Sequence, residues 1–99
     1  MLNHTMLDLH HVRTFCVVTD TNNFTVAAAR LGCSQATVTT HIQALESELG
    51  VRLFERKRFA RNVRLTEIGH LMLRYSRELL SLAEKTVAVI RRGEVKASA

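Results

Sequence analysis

The stretch SQATVTTHIQALESELG, residues 34–50, has the periodicity of an amphipathic helix with an unusual outer face. Apolar residues recur at intervals of three and four, which is typical of a face turned to a core. They are Val38, Ile42, Leu45 and Leu49. The opposite face, at about 100° per residue, carries Ala36, Thr40, Gln43 and Ser47. Solvated helix faces usually carry Lys, Glu and Arg, so this small, uncharged face predicts close approach to a partner.

Length and composition indicate one mainly α-helical domain. The chain has 99 residues, of which 46% are hydrophobic, and this supports a modest core and argues against disorder. It contains no proline and four glycines, so long irregular loops are not expected. Apolar and charged residues fall at helical spacing along most of its length.

The charge is concentrated in the second half. Residues 1–50 hold two Lys and Arg against four Asp and Glu, a net charge of −2, and residues 51–99 hold twelve against five, a net charge of +7. The sum is the +5 of the whole chain. A basic half is typical of a protein with a polyanionic partner, although charge alone fits a solvated basic face equally well.

Several classes of function find no support in the residues. Cys16 and Cys33 are too few for a disulfide framework and lack a CxxC spacing. We see no signal peptide and no membrane-spanning run, so the expected compartment is a reducing cytoplasm. A Gly-rich phosphate loop, a nucleophile elbow and metal-ligand spacing are all missing from the sequence. We therefore expect a non-enzyme with no cofactor and no metal site.

A first helix is predicted over about residues 8–20, with Asp8 as its N-cap. Its inward residues are expected to be Leu9, Val12, Phe15 and Cys16.

A helix-turn-helix is predicted over about residues 23–43. The Ala-rich segment 25–32 is a short helix that Gly32 can end, and Ser34 can cap the helix that follows. Two helices joined by such a short turn form the arrangement in which the second helix lies in the major groove of DNA.

The segment RLFERKRFARNVRLT, residues 52–66, predicts a two-stranded hairpin. LFER and NVRLT are short strand-like runs, and the residues between them are strongly basic. Helix-turn-helix followed by a hairpin is a winged helix. The predicted fold is thus mainly α, with a three-helix core and a two-stranded wing over residues 1–66.

A long helix is predicted over residues 67–92, with Thr66 as its cap. Its apolar residues alternate spacings of four and three, which is a heptad seam suited to dimerisation. The seam consists of Ile68, Met72, Tyr75, Leu79, Leu82, Thr86 and Val89. Residues 93–99 are expected to be a tail.

Together these motifs resemble the N-terminal DNA-binding domain of LysR-type transcriptional regulators. The resemblance covers residues 7–92 and rests on NNFTVAAARL (22–31), SQ (34–35), LESELG (45–50), LFER (53–56) and LT followed by Gly69. It implies a bacterial regulator whose partners are promoter duplex DNA and a second copy bound through the linker helix. It also implies a C-terminal effector-binding domain beyond this chain, tetramers in the full-length protein, and a cytoplasmic, nucleoid-associated location without membrane contact.

The predicted DNA-contacting residues lie on the helix-turn-helix and on the wing. They are Thr25, Ser34, Gln35, Ala36, Thr37, Thr39, Thr40, Gln43, Arg56, Lys57, Arg58 and Arg61. Gln35 can offer a bidentate amide to adenine or bind a phosphate, and wing arginines suit a narrow minor groove. Thr39 and Thr40 either bond the DNA or act as spacers. Thr25 can bind phosphate, cap its helix, or do both.

The recognition helix departs from the family pattern at three positions. Ala36 replaces a common Pro, Thr39 replaces a common Ser, and Thr40 replaces a frequent Arg. Beside this face, His41 is expected to be packed and hydrogen-bonded, and Glu46 and Glu48 to lie beyond the groove or pair with nearby Arg. The rival hypothesis is a dimerisation module with an idle wing, which duplex titrations across salt would separate from a DNA-binding domain.

Overall fold

A computed structural model describes residues 6–55 and 62–93. Within these two ranges, four helices follow one another: α1 Leu9–Thr21, α2 Phe24–Leu31, α3 Gln35–Leu49 and α4 Glu67–Arg92. The mainly α prediction is confirmed. None of these helices is both long enough and apolar enough to cross a membrane.

Side-chain caps fix where the helices begin. Asp8 accepts a hydrogen bond from the backbone nitrogen of His10, and Ser34 accepts one from Thr37. Thr66 caps α4 in the same way. These three predicted caps are confirmed, whereas α2 begins one residue earlier than predicted because Asn23 accepts from the nitrogen of Val26.

The turn between α2 and α3 is short because Gly32 takes a left-handed conformation. Its φ is 71° and its ψ is 35°, a region open to glycine at little cost. The backbone nitrogen of Cys33 then donates to the carbonyl oxygen of Ala28, which closes the end of α2. This geometry sets α3 across α2, as the helix-turn-helix prediction requires.

One core holds α1, α2 and α3 together with the segment that follows α3. Its members are Val12, Phe15, Val18, Ala27, Ala28, Val38, Ile42, Leu45, Leu53 and Phe54. The ring of Phe54 lies 5.5 Å from that of Phe15 and 5.9 Å from that of Phe24, measured between centroids. Aromatic packing of this kind ties the base of the wing to α1 and α2.

The expectation that Leu9 faces the core is wrong. Leu9 is 43% exposed and lies at a groove between the start of α1 and the second half of α4, beside Leu80 and Val87. The buried face of α1 begins at Val12, where α2 and α3 can reach it.

The base of the predicted wing is present as an antiparallel bridge between Phe54 and Leu65. The nitrogen of Glu55 donates to the oxygen of Arg64 at 2.8 Å, and the nitrogen of Thr66 donates to the oxygen of Leu53 at 2.9 Å. The predicted tip residues Arg56, Lys57, Arg58 and Arg61 lie outside the described residues, as do residues 94–99 of the predicted tail.

Helix α4 packs its first half against the core and continues beyond it. Gly69 and Ser76 are buried on the inward side, and Leu73 and Leu80 pack against the core cluster. Arg77 forms an ion pair with Asp20 near the end of α1, with 3.2 Å between Nη2 and Oδ1. These contacts fix the direction in which α4 leaves the domain.

Candidate nucleic-acid interface

The outer face of α3 is open to solvent and free of charge. Ala36, Thr40, Gln43 and Ser47 are all exposed. The opposite face is the core, where Val38, Ile42 and Leu45 are almost completely buried. The predicted division of this helix into an inner and an outer face is therefore confirmed.

Two predicted DNA-contacting residues are brought together at the leading end of α3. The hydroxyl of Thr25, at the start of α2, donates to the side-chain oxygen of Gln35 at 3.0 Å. A carbonyl oxygen has two lone pairs and an amide nitrogen has two donors, so Gln35 keeps an acceptor site and both donors for a ligand. The bond holds the amide at the exposed edge where α2 and α3 begin.

Ser34 and Thr37 are hydrogen-bonded to each other. The Ser34 oxygen accepts from the backbone nitrogen of Thr37, and its hydroxyl donates to the Thr37 hydroxyl, both at 3.0 Å. This arrangement fixes the first turn of α3 and leaves the Thr37 proton available. Thr39, like Thr37, is half-buried, whereas Thr25, Gln35 and Thr40 are exposed.

The Glu46 side chain has a structural role that the sequence analysis did not predict. Its side chain is buried, and its Oε2 accepts hydrogen bonds from the backbone nitrogens of Leu53 at 2.7 Å and Phe54 at 3.4 Å. The chain folds back after α3, and these two buried N–H groups need an acceptor. Glu48, two residues further along α3, is exposed.

The opposite flank of α3 carries a half-buried polar contact, which confirms the expectation that His41 is packed and hydrogen-bonded. Nδ1 of His41 lies 2.7 Å from the hydroxyl of Thr14 on α1, which in turn donates to the carbonyl oxygen of His10. A hydroxyl has one proton, so His41 donates through Nδ1 when both bonds are formed. Burial, followed by the nearby imidazole of His11, lowers the pKa of His41.

The predicted dimerisation residues form an apolar surface along α4. Ile68, Tyr75 and Leu82 are 42%, 50% and 62% exposed. Leu79 is also exposed, and Met72 and Val89 are half-buried. The first three members of the seam, Ile68, Met72 and Tyr75, line a groove of 270 Å³ together with Leu49, Val51, Leu53 and Leu71.

Within the described part of the chain, no cluster of three or more His, Cys, Asp and Glu side chains could hold a metal ion. The two cysteines are unpaired, with Cys16 buried and Cys33 half-buried.

Comparison with known proteins identifies the family of this arrangement. Residues 9–70, more than half of the chain, match the family described as "Bacterial regulatory helix-turn-helix protein, lysR family". The transcriptional regulator BenM of Acinetobacter baylyi is 37% identical over 86 residues, which are 87% of this chain and 28% of BenM. The regulator CitR of Bacillus subtilis is 38% identical over 86 residues, which are 29% of CitR. The chain thus spans less than a third of these relatives.

Solved structures with the same fold include two bound to DNA. The complex of the BenM DNA-binding domain with catB site 1 DNA is 37% identical, covers 87% of this chain and 90% of that one, and has a TM-score of 0.81. The complex of the CbnR DNA-binding domain with DNA is 36% identical, covers 88% of this chain and 98% of that one, and also has a TM-score of 0.81. These similarities confirm the winged-helix prediction.

Proposed function

The chain belongs to the lysR family of bacterial regulatory helix-turn-helix proteins and is a sequence-specific DNA-binding domain of that family, and from this premise we propose how it reads DNA. Helix α3 enters the major groove with its outer face, the wing lies on the adjacent backbone or in the minor groove, and α4 pairs two copies. The exposed, uncharged face of α3 opposite a completely buried one is the observation that carries the proposal.

The leading end of α3 supplies the base reading. A glutamine amide can donate to N7 of adenine and accept from its N6 amino group. Gln35 has the donors and the acceptor site for this contact, and its bond to Thr25 limits the side-chain entropy lost on binding. Thr40 and Gln43 lie further along the same exposed face, where a hydroxyl, a methyl or an amide can meet base edges.

The wing supplies affinity that depends little on sequence. Arg56, Lys57, Arg58 and Arg61 are a cluster of positive charges without an acid among them. The described base of the hairpin is fixed to α3 through Glu46 and to the core through Phe54, so the chain leaves this base at a defined place beside the recognition helix. Phosphates are alike in every sequence, so these residues position the domain rather than specify a site.

Helix α4 is the proposed contact between two copies. Its exposed apolar seam is continuous with the groove beside Leu49 and Val51, and a second α4 would cover both. Two copies would read two half-sites about one helical turn or more apart. A C-terminal effector-binding domain belongs to the same proposal, because BenM is more than three times as long as its matched segment. Tetramers of the full-length protein and a cytoplasmic, nucleoid-associated location are also part of it.

Binding to duplex DNA across a range of salt tests the docking mode. If about six phosphates are contacted, the logarithm of the binding constant should fall against the logarithm of salt with a slope near −5. Selection from a random duplex pool would supply the preferred site. Gln35→Ala should then lower the ratio of specific to non-specific affinity by roughly 1–3 kcal/mol, whereas Arg58→Ala and Arg61→Ala should weaken both affinities alike. The reverse pattern would exchange the assigned roles of reader and anchor.

The α4 interface has its own test. Leu79→Glu with Leu82→Glu places two charges in the seam and should give a folded monomer in analytical ultracentrifugation. Ser81→Glu with Lys85→Glu provides the control, because both positions are exposed and lie outside the predicted seam. A Leu79 and Leu82 variant that stays dimeric would overturn the interface.

A further inference from the structure

A basic cleft lies on the flank of α3 away from the wing. It has a volume of 310 Å³ and is bounded by the start of α1, the end of α2 and the first half of α3. Its cationic and titratable lining consists of His10, Arg13, Arg30 and His41, with Thr14 and Cys33 beside them. No carboxylate lines the cleft in the part of the chain that the structure describes.

The two arginines of this cleft have no ion-pair partner among the described residues. Both Arg13 and Arg30 are exposed. Asp8 caps α1 and lies 3.6 Å from His11, and Asp20 pairs with Arg77. Glu84 lines an adjoining groove with His10 and Arg13 but forms no ion pair with Arg13. The cleft is therefore a concentration of positive charge with no carboxylate in its described lining.

The position of the cleft relative to the wing follows from α3 itself. His41 and Glu46 are five residues apart, which places them about 140° apart around the helix at 100° per residue. Glu46 binds the first residues of the wing, so the cleft that His41 lines is on the other flank. Thr40, the neighbour of His41, belongs to the exposed outer face between the two flanks.

The dimensions of the DNA major groove indicate what the cleft would face. The major groove is about 12 Å wide and is bounded on both sides by phosphates, and a helix with its side chains is about 10–12 Å across. A helix in the groove therefore brings both of its flanks close to a sugar-phosphate backbone. The wing can contact the backbone on one flank of α3, and the basic cleft lies on the other flank.

We propose that this cleft binds a phosphate group of the DNA backbone, with the guanidinium groups of Arg13 and Arg30 donating to the phosphate oxygens. Planar guanidinium groups match phosphate geometry and form charge-assisted hydrogen bonds. His41 donates through Nδ1 to Thr14, so the Nε2 of the neutral ring carries no proton to donate, and the contact to phosphate is left to the two arginines. The side chain of His10 completes the lining. The proposal rests on the docking of α3 described above, and it adds a second anchor to the wing.

The test compares two double variants that lose the same charge. Arg13→Gln with Arg30→Gln removes the two arginine charges from the cleft. The control, Lys85→Gln with Arg91→Gln, removes two exposed positive charges from α4. Each is titrated with the selected duplex and a scrambled one across salt, after circular dichroism has confirmed unchanged folding. We expect the cleft variant alone to show a slope shallower by about two units, with similar losses on both duplexes. Equal slopes for the two variants would overturn the proposal.

Two further measurements separate the other outcomes. If the cleft variant matches the control while Gln35→Ala still lowers specificity, the cleft proposal fails and the docking of α3 stands. If Gln35→Ala is also without effect, the docking itself fails. A third possibility is that the ligand is a free anion. It is tested by titrating the ¹⁵N-labelled domain with inorganic phosphate, at an ionic strength matched with chloride. Shifts at the cleft amides without a change in the duplex slope would assign the cleft to free phosphate and overturn a backbone contact.

Discussion

Oε2 of Glu46 accepts a hydrogen bond from the backbone nitrogen of Leu53 at 2.7 Å. Glu46 belongs to the recognition helix, and Leu53 opens the base of the wing. A buried carboxylate thus fixes the distance between the two elements proposed to bind DNA. The wing can be a positioned anchor rather than a loose basic loop because this contact fixes its base.

Removing the Glu46 carboxylate should destabilise the domain. Glu46→Ala leaves two backbone N–H groups without this acceptor, and each unsatisfied buried group costs about 1–3 kcal/mol. Glu46→Gln keeps an acceptor oxygen but loses the charge, so its loss should be smaller. Urea denaturation followed by circular dichroism measures both, with the exposed Glu48→Ala as control. Equal losses at the two positions would show that the carboxylate has no structural role.

Gly69→Ala should also destabilise the domain, although alanine is the better helix former. An ordinary helical position would gain about 1 kcal/mol from this change. At Gly69, however, the added methyl carbon would collide with the carbonyl oxygen of Leu53 and touch Leu65. The first turn of α4 would have to move away from the base of the wing, with a net loss of about 1–3 kcal/mol. A thermal melt that shows a gain in stability would refute the close approach.

The helices and their caps could be predicted from the sequence because the patterns that specify them are local. The periodicity of α3, the caps at Ser34 and Thr66 and the left-handed Gly32 depend on neighbours within a few residues. The basic composition of the wing and the small side chains on one face of α3 can likewise be recognised without knowledge of the fold.

Long-range contacts could not be inferred in the same way. Glu46 resembled a surface residue because its partners, the N–H groups of Leu53 and Phe54, become neighbours only after the chain turns back. Leu9 satisfied the helical spacing of α1, but spacing does not tell how far α2 and α3 extend along that helix. The basic cleft combines residues from α1, α2 and α3. No local sequence pattern shows that these residues come together.

The two cysteines should differ sharply in reactivity. Burial, with a smaller contribution from the negative charge of Asp20, raises the pKa of the Cys16 thiol to about 11. The thiolate is the reactive form, so Cys16 stays protonated and inert at pH 8. Cys33 is half-buried and lines the basic cleft. Iodoacetamide at pH 8 should therefore modify Cys33 in the native domain and Cys16 only after denaturation, as peptide mass spectrometry would show. Rapid labelling of native Cys16 would contradict its burial.

The imidazole of His41 should make the domain sensitive to mild acid. Because its pKa is lowered in the folded state, the folded protein favours the neutral ring. Its contribution to stability is therefore complete above the ordinary histidine pKa, near 6.5, and is lost as pH falls through the lower folded pKa. Protonation at Nε2 leaves the bond to Thr14 intact, but it places a charge in a half-buried site beside the ring of His11, with 4.7 Å between the ring centroids.

A single substitution isolates this effect. The amide of His41→Gln can still donate to the Thr14 hydroxyl but does not titrate, so the fall in unfolding free energy between pH 7 and pH 5 should become shallower. His70→Gln is the matched control, because His70 is exposed on α4. Denaturation series at several pH values compare the two variants with the parent domain. If His70→Gln flattens the pH dependence as much as His41→Gln, the acid sensitivity does not arise from the contact between α1 and α3.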